Sequence, residues 1–219
     1  TGKELVARGI HAGSRRGKHA FVPVRCVGLP KEVESLDQRT QALSILFGHV
    51  SGAFPGAEED QVGLVQQARG GTLFLDEVGL LPLQAHLLRV LTQGEVRPTG
   101  ASEVERLDVR VLAASSEDLQ MQVELGEFIR EMYEYLAVHQ VAMPSLRDRR
   151  EDIAPLAQQI VDTTSRELGL EPTTVSEEVI GLLQGYGFPG NVRQLRRILE
   201  QALRMGGGSI RPENLSLHA

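Results

Sequence analysis

The most restrictive feature of this chain is a short apolar run that ends in two acids, Gly-Gly-Thr-Leu-Phe-Leu-Asp-Glu at residues 70–77. An uninterrupted apolar run is typical of a strand that is buried on both faces of a parallel sheet. Because open α/β sheets bind ligands at the carboxyl ends of their strands, Asp76 and Glu77 are predicted to border a ligand crevice. A strand that runs into a solvated acidic turn would show the same pattern, so the pair alone leaves both interpretations open.

Helical and strand patterns alternate around this run. Residues 1–12 and the segment after Pro82 carry apolar side chains at helical spacing, and Pro82 is expected in the first turn of its helix. Residues 20–27 and 109–114 are predicted strands, whereas residues 30–46 are polar without a clear period and are predicted to be irregular. Strands separated by helices favour an α/β layer with a parallel sheet.

The pattern changes after Pro144. From there onward the signals are helical, and glycines separate three segments at 150–168, 176–185 and 190–205. We therefore predict an α/β domain over residues 1–144 and a small all-helical domain over residues 145–219.

The composition of the chain argues against several classes of function. The 23 Lys and Arg against 29 Asp and Glu leave a formal net charge of −6, which argues against a nucleic-acid backbone as the main partner. One cysteine, Cys26, excludes an internal disulfide framework and makes the cytoplasm the expected compartment. No apolar run is as long as a membrane span, so no membrane association is expected. The six histidines show no metal-ligand spacing.

The chain begins with Thr-Gly-Lys, the last part of a possible phosphate-binding loop. In such a loop glycine lets the backbone approach the phosphates, lysine binds them, and a helix N-terminus faces the anion. Glu4 stands where a hydroxyl usually holds the metal, so a surface lysine at a helix start is a second interpretation. Because the chain begins at Thr1 without a methionine, we expect it to be a fragment of a longer protein.

Several separate motifs follow one another along nearly the whole chain, at residues 1–8, 46–49, 52–57, 70–78, 87–91, 146–153 and 188–195. They include Gly-Ala-Phe-Pro-Gly-Ala in the third and Phe-Pro-Gly-Asn-Val-Arg-Gln-Leu in the last. Together they closely resemble the AAA+ domain of sigma-54-dependent transcription activators, the bacterial enhancer-binding proteins. The resemblance implies a P-loop AAA+ fold, in which an α/β parallel-sheet domain is followed by an all-helical lid.

The resemblance also implies an activity. In this family ATP binds at the subunit interfaces of a ring, and hydrolysis drives surface loops against sigma-54 bound to RNA polymerase. A homo-oligomeric ring, ATP with Mg²⁺, and sigma-54 RNA polymerase are therefore the implied assembly, cofactors and partner. In this family the DNA-binding helices lie further C-terminal, so no direct nucleic-acid binding is expected of residues 1–219.

The family motifs assign roles to single residues of this chain. Gly2, Lys3 and Glu4 would lie in the nucleotide site, with Lys3 on a phosphate. Asp76 and Glu77 would be the catalytic acids, Asp76 at the metal and Glu77 activating the attacking water.

Two further assignments come from the resemblance. Arg193, at the start of the last helix, would be the lid arginine that senses the nucleotide. The sigma-contacting loop would consist of Gly52, Ala53, Phe54, Pro55, Gly56 and Ala57. The family has threonine where this chain has Pro55, and proline fixes φ and removes a hydroxyl and an amide donor. We therefore expect that the loop does not engage sigma-54 productively.

Four other dedicated positions depart from the family pattern. Arg25 replaces the asparagine that couples the catalytic glutamate to the loop, and Ser116 replaces the asparagine of the first sensor. Ile129 and Tyr135 replace the two arginines that reach the neighbour's ATP. Arg130 is next to one of them, but one step along a helix turns a side chain by about 100°.

These changes, with an insertion near residues 35–43, leave two hypotheses. One is a nucleotide-hydrolysing sigma-54 activator module with altered catalytic and sigma-contacting positions. The other is a non-catalytic pseudo-ATPase that works through protein contacts. A free-standing DNA-binding repressor is disfavoured by the acidic charge and by the lack of a reader helix. We predict that ATP or ADP binds and that ATP is turned over very slowly.

Overall fold

A computed structural model describes residues 2–30 and 35–217 of the chain. Thr1 of the phosphate-loop motif and residues 31–34 of the segment predicted to be irregular lie outside the described residues. The chain separates into two compact units, one comprising Lys3–Gln140 and the other the residues from Val141 onward. Among the residues that the structure describes, no helix combines the length and apolar character needed to cross a membrane.

The sheet of the first unit is built around the apolar run at residues 70–77. The strands of this unit are β1 (Phe21–Arg25), β2 (Thr72–Asp76), β3 (Glu95–Val96), β4 (Glu105–Arg106) and β5 (Arg110–Ala114). Strands β1, β2 and β5 are parallel in the order β1-β2-β5, and β3 and β4 form a small antiparallel pair. The first four residues of the central strand β2 are buried, which confirms the predicted buried parallel strand.

Helices pack against this sheet to form one apolar core. They are α1 (Lys3–Ala12), α2 (Leu36–Phe47), α3 (Leu64–Gln67), α4 (Gln84–Gln93), α5 (Leu119–Glu124) and α6 (Arg130–Leu136). Val24, Leu73 and Leu75 of the sheet join Leu87 of α4 and Met132 of α6 in the buried cluster. Full burial of one such side chain contributes roughly 1.5–3 kcal/mol, so this shared core holds the strand ends in fixed positions.

The prediction of irregular structure over residues 30–46 is wrong where α2 lies. The side chain of Ser35 accepts a hydrogen bond from the Gln38 backbone N–H, and the Gln38 side chain accepts one from the Ser35 N–H. This reciprocal capping box starts the helix. Ala42 and Leu46 are then completely buried, so tertiary burial supports a helix whose apolar period is weak.

The position predicted for Pro82 is also wrong. Helix α4 begins at Gln84, two residues further on, because Leu83 adopts a left-handed conformation with φ 57°. A left-handed residue cannot belong to a right-handed helix, so Pro82 lies in the turn that precedes α4 rather than in its first turn.

The second unit is helical throughout its regular structure. Its main helices are α7 (Ile153–Leu168), α8 (Glu177–Gly185) and α9 (Asn191–Met205). Val161, Leu183 and Leu199, one from each helix, are completely buried in a separate apolar cluster. An α/β sheet unit followed by an all-helical unit confirms the predicted fold class.

Candidate functional site

The carboxyl ends of the three parallel strands coincide. Arg25, Asp76 and Ala114 are register partners across the sheet. Glu77, directly after β2, has φ 55° and ψ 54°, a left-handed conformation that costs about 1–2 kcal/mol for a residue with a side chain. Because such backbone outliers concentrate at functional sites, the turn after β2 is a candidate site.

Three residues that are far apart in the sequence meet at this turn. The ammonium of Lys3, at the start of α1, donates to Glu77 Oε1 at 2.9 Å and to Ser116 Oγ at 2.8 Å. Ser116 donates twice to Glu77, from its backbone N–H to Oε2 at 2.8 Å and from its hydroxyl to Oε1 at 2.5 Å. We call this set, Lys3, Glu77 and Ser116, the lysine–glutamate cluster.

The cluster fixes the charge of Glu77. Burial by itself would raise the pKa of this carboxyl, but hydrogen bonds from Ser116 and Lys3 and the lysine charge outweigh burial and lower it below its usual value. Hydrogen bonds to the ionised form favour that form. Glu77 is therefore a carboxylate at neutral pH.

Asp76 lies beside the cluster with its acceptor atoms unused. Within residues 2–30 and 35–217, its half-buried carboxylate has no hydrogen-bond or ion-pair partner in the protein, and neither has the exposed guanidinium of Arg25. The same described residues contain no group of three or more His, Cys, Asp or Glu side chains placed to hold a metal ion. A cation at Asp76 would therefore take its other ligands from beyond these described residues.

Cys26 lies beneath this end of the sheet and is completely buried. Its burial, with the charges of Asp76 and Glu77, raises the pKa of the thiol to about 12. The thiol is therefore neutral and acts as a small apolar group in the core.

The other residues assigned to a nucleotide site are placed as follows. Gly2 precedes α1 with φ 88°, a conformation that suits glycine. Glu4 pairs with Arg8 one turn along α1, at 2.8 Å and 3.0 Å, so its carboxylate takes no part in the lysine–glutamate cluster. Arg193 belongs to the second unit, where it is exposed near the start of α9.

The segment proposed as the sigma-contacting loop closes in a tight turn. The Ala57 N–H donates to the Phe54 carbonyl at 3.0 Å, and the Gly52 N–H donates to the Ala57 carbonyl at 2.8 Å. Pro55 thus occupies the second position of a four-residue turn, and Gly56, with φ 95°, the third. Type II turns prefer proline and glycine at these two positions. Pro55 therefore fits the turn and stiffens it.

A buried histidine supports the loop from below. The His49 ring lies 4.9 Å from the Phe54 ring, and its Nδ1 is 2.7 Å from the hydroxyl of Ser44 in α2. Neither Ser44 nor His49 has a role predicted from the sequence. The position of His49, three residues before the loop, was the one signal in the sequence that could have suggested a role beside the loop. The contact of His49 with Ser44 of α2 depends on the tertiary structure and could not be predicted from the sequence.

The two positions at which the resemblance implies arginines, 129 and 135, lie in different environments. Ile129 packs against the core of the first unit, and its N–H donates to Gln84 Oε1 at 2.7 Å. Tyr135 is 37% exposed on α6. Arg130 is exposed at the first position of α6. Position 129 is thus a partly buried apolar site, whereas positions 130 and 135 are exposed.

Comparison with known proteins adds independent matches. Residues 1–142 match the family described as the Sigma-54 interaction domain, and residues 147–219 match the AAA+ ATPase lid domain. The regulatory protein LuxO of Vibrio cholerae is 41% identical over 203 residues, which cover 92% of this chain and 37% of LuxO. The regulatory protein AtoC of Escherichia coli is 42% identical over 212 residues, covering 96% of this chain and 44% of AtoC. The chain thus spans less than half the length of these curated relatives.

Solved structures agree with this assignment. NtrX from Brucella abortus in complex with ATP superposes with a TM-score of 0.83 at 30% identity, covering 98% of this chain and 48% of NtrX. Its complex with ADP gives a TM-score of 0.82 at 29% identity, covering 98% and 46%. The family match over most of the chain, the order of the motifs and the fold together show that the chain belongs to the Sigma-54 interaction domain family of bacterial transcriptional regulators, with an AAA+ lid.

Proposed function

We propose that this chain is the ATP-binding module of a sigma-54-dependent transcription regulator. The observation that carries the proposal is the convergence of Lys3, Glu77 and Ser116 beside Asp76 at the end of β2. A cation, a carboxylate and a free second carboxylate at the strand ends are the groups that a P-loop ATPase uses for phosphate, water and metal.

The residues fit Mg²⁺ and ATP. The Asp76 carboxylate has open acceptor sites, and Mg²⁺ in such proteins takes one or two carboxylates together with phosphate oxygens and waters. When bound, Mg²⁺-ATP would supply the transferable phosphoryl group. Lys3 would bind phosphate oxygens, and Glu77, held ionised, would accept a proton from the attacking water.

The remaining site assignments are part of the same proposal. Gly2 and Glu4 would flank the phosphate-binding lysine, and Arg193 would respond to nucleotide from the helical domain. We place the boundary between the nucleotide-binding domain and this lid near residue 144. The ring of like subunits is the assembly in which such a site would be completed.

We further propose that ATP turnover is slow. An arginine supplied to a neighbour's ATP can accelerate hydrolysis by ~10³–10⁵, and Ile129 and Tyr135 occupy the positions that the resemblance assigns to such arginines. The packing of Ile129 against the core supports this, because a core-facing side chain cannot reach a neighbouring subunit. Arg130, which is exposed, is the residue that would have to replace them.

The loop at residues 52–57 is proposed to bind sigma-54 weakly. Pro55 removes the threonine hydroxyl and holds the turn closed, while Phe54 remains half-buried on His49. A native-gel assay with sigma-54 and a transition-state analogue of ATP tests this. We expect no shifted complex with the natural loop, and a nucleotide-dependent complex would contradict the proposal.

The nucleotide site is tested with the full-length protein. Isothermal titration should show ATP and ADP binding, and Lys3→Ala should weaken it at least tenfold because the phosphate-binding cation is lost. Lys18→Ala, which removes an exposed lysine outside the site, is the matched control and should leave affinity unchanged. Equal affinities for all three proteins would contradict the site.

The arginine positions are tested by phosphate release. Tyr135→Arg adds a guanidinium at a partly exposed position, and Glu134→Arg adds one next to it as the control. We expect slow release from the natural protein and faster release only from Tyr135→Arg. Release at the rate of an ordinary activator from the unchanged protein would show that Arg130 or another residue already supplies the cation.

A non-catalytic pseudo-ATPase is the second candidate function. The direct contact of Lys3 with Glu77 favours it. In this contact the Lys3 ammonium is engaged by Glu77 rather than by a phosphate, and the Glu77 carboxylate is engaged by Lys3 rather than by an attacking water. The phosphate-release assay distinguishes the two candidates, because only the first hydrolyses ATP, and subunit mixing tests a consequence that both share. Added to an intact relative with which it co-assembles, this chain should inhibit ATPase activity by more than dilution predicts, because it offers the neighbouring site no arginine. Inhibition that merely follows dilution would show that the chain does not enter such rings.

A further inference from the structure

A cavity of about 450 Å³ lies in the first unit, on the side of α4 that carries His86 and Arg89. Its walls come from the end of α2, from α4, and from residues 97–104, which lead from β3 to β4. Sites for small organic molecules have volumes of ≈ 300–1,000 Å³. The cavity is therefore large enough for a ligand of about one or two rings, and none of the site residues discussed above lines it.

The inner wall of the cavity is apolar and partly aromatic. Leu43 and Phe47 of α2 and Val90 of α4 line it. Phe47 and Val90 are only 1% and 3% exposed, so the accessible apolar surface comes from the partly buried Leu43 and His86. The rings of Phe47 and His86 lie 4.5 Å apart at an interplanar angle of 48°. Leu43 lies at the end of the segment 35–43 that departs from the family pattern. A flat apolar body would find aromatic and aliphatic contacts here.

The mouth of the cavity is cationic. Arg89 and Arg97 line it and are exposed, and within residues 2–30 and 35–217 neither forms an ion pair. Glu95 is the acidic residue among the described lining residues, so two positive charges face one negative charge. Uncompensated guanidinium groups are suited to bind a carboxylate, often with two hydrogen bonds.

The state of His86 agrees with this charge distribution. Burial lowers the pKa of its imidazole, and the charges of Arg89 and Arg39 lower it further. A neutral imidazole adds no third charge to the cavity and leaves its face available for stacking. The positive field that depresses the histidine is the same field that an anionic ligand would experience.

We propose that this cavity binds a small aromatic carboxylate. Its ring would lie against Leu43 and His86, with Phe47 packed behind His86, and its carboxylate would be held by Arg89 and Arg97. A neutral aromatic molecule would form no ion pair with the two arginines, and an organic cation would be repelled by them.

The wall formed by residues 97–104 also contacts the turn at residues 52–57. The Thr99 N–H donates to the Gly48 carbonyl at 2.9 Å, and the Val50 N–H donates to the Thr99 carbonyl at 3.1 Å. At Gly100 an added Cβ would lie 2.7 Å from the Cβ of Ala53. A ligand that orders the cavity wall would therefore also slow backbone opening next to the turn.

The probe for this site is 2-naphthoate, with the uncharged 2-naphthylmethanol as its matched partner. Titration followed by calorimetry should show saturable binding of naphthoate with a Kd of about 0.1–1 mM. The alcohol should bind at least tenfold more weakly. Equal affinity of the two compounds, or no binding of naphthoate up to several times that concentration, would overturn the proposal.

Variants locate the binding. The double variant Arg89→Ala/Arg97→Ala should weaken naphthoate binding at least tenfold. Arg15→Ala/Arg204→Ala removes two exposed arginines away from the cavity and should leave binding within twofold. Should the first variant fold poorly, Val104→Asp places a carboxylate at the 49%-exposed rim and should weaken binding tenfold, with Val62→Asp as its control. Unchanged binding in the cavity variants, or equal losses in the controls, would contradict the site.

Hydrogen exchange provides a separate readout. Saturating naphthoate should slow amide exchange in residues 97–104 and in residues 48–53, and leave the second unit unchanged. Protection confined to other parts of the chain would place the probe elsewhere and overturn the assignment.

Discussion

Removing the Ser116 hydroxyl tests whether the lysine–glutamate cluster is the electrostatic centre of the first unit. Ser116→Ala deletes the 2.5 Å hydrogen bond to Glu77 and the 2.8 Å bond from Lys3, and keeps the backbone N–H bond. The side chains of Glu77 and Lys3 are 31% and 19% exposed. Neither charge is therefore fully screened by water.

The expected loss can be estimated from these contacts. A hydrogen bond to a charged group contributes ≈ 1.5–3 kcal/mol when buried, and partial exposure at this site reduces that to about 1–2 kcal/mol for the bond to Glu77. Loss of the bond from Lys3 adds little, because the ammonium keeps its direct contact with Glu77 at 2.9 Å. With a urea m-value of about 2–3 kcal/mol/M, the unfolding midpoint at pH 7 should fall by roughly 0.5 M. Urea denaturation followed by circular dichroism measures this shift.

The loss should also depend on pH. The pKa of Glu77 is lower in the folded protein than its usual value of 4.5. Its contribution to stability is therefore complete above that value and disappears as the pH falls through the folded pKa. We expect the full difference between Ser116→Ala and the natural protein at pH 7 and a smaller difference at an acid pH below the folded pKa of Glu77, where the carboxyl becomes protonated.

The neighbouring serine provides the control. The Ser115 hydroxyl donates to the Glu117 carbonyl and accepts from the Glu117 N–H, so it touches no carboxylate. Ser115→Ala should give a shift that is the same at both pH values. A Ser116→Ala shift that equals the Ser115→Ala shift at pH 7, or that persists undiminished at low pH, would refute the cluster as described.

Three further predictions concern the turn, the thiol and the second core. Pro55→Ala should lower the free energy of unfolding by about 0.4–1 kcal/mol through greater freedom of the unfolded chain, and Gly56→Ala by about 1–2 kcal/mol because of its left-handed φ; urea curves of equal midpoint would contradict both. The Cys26 thiol, whose pKa is raised to about 12, should react with Ellman's reagent at pH 8 only after unfolding, and rapid reaction in the folded protein would show that it is accessible. In the same urea assay, Leu199→Ala should lower the free energy of unfolding by about 2–5 kcal/mol. Leu182 is partly exposed, so Leu182→Ala should lower it by less than about 1 kcal/mol. A lower unfolding midpoint for Leu182→Ala than for Leu199→Ala would disprove this order.

The effect of proline at position 55 depends on the backbone conformation that the loop adopts there. In the sequence, proline within the loop suggests lost hydrogen bonds and stiffness. In the structure, it occupies the turn position that proline prefers, directly before a glycine with φ 95°. The turn is therefore pre-formed, and its effect on a partner would come from rigidity and the missing hydroxyl rather than from strain.

Much of the fold could be predicted from local patterns in the sequence. The apolar run of β2, the helical spacing of α1 and the glycine-separated helices of the second unit all follow from periodicity, because the faces of a strand or helix must match its repeat. The acids at residues 76 and 77 were predicted at a strand end, and that is where they lie. The order of the motifs also identified the family.

The sequence alone could not decide which groups meet. Lys3 and Glu77 are 74 positions apart, and Lys3 and Ser116 are 113 apart, so only the parallel pairing of β1, β2 and β5 brings them together. Helix α2 was missed for the same reason, since its weak local period becomes a helix only when Ala42 and Leu46 are buried by distant strands and helices. The sequence by itself determined most of the elements and the family, and it proposed the site residues. The tertiary structure decided their hydrogen bonds, their charge states and the cavity behind the loop, because these depend on distances between segments that local patterning leaves open.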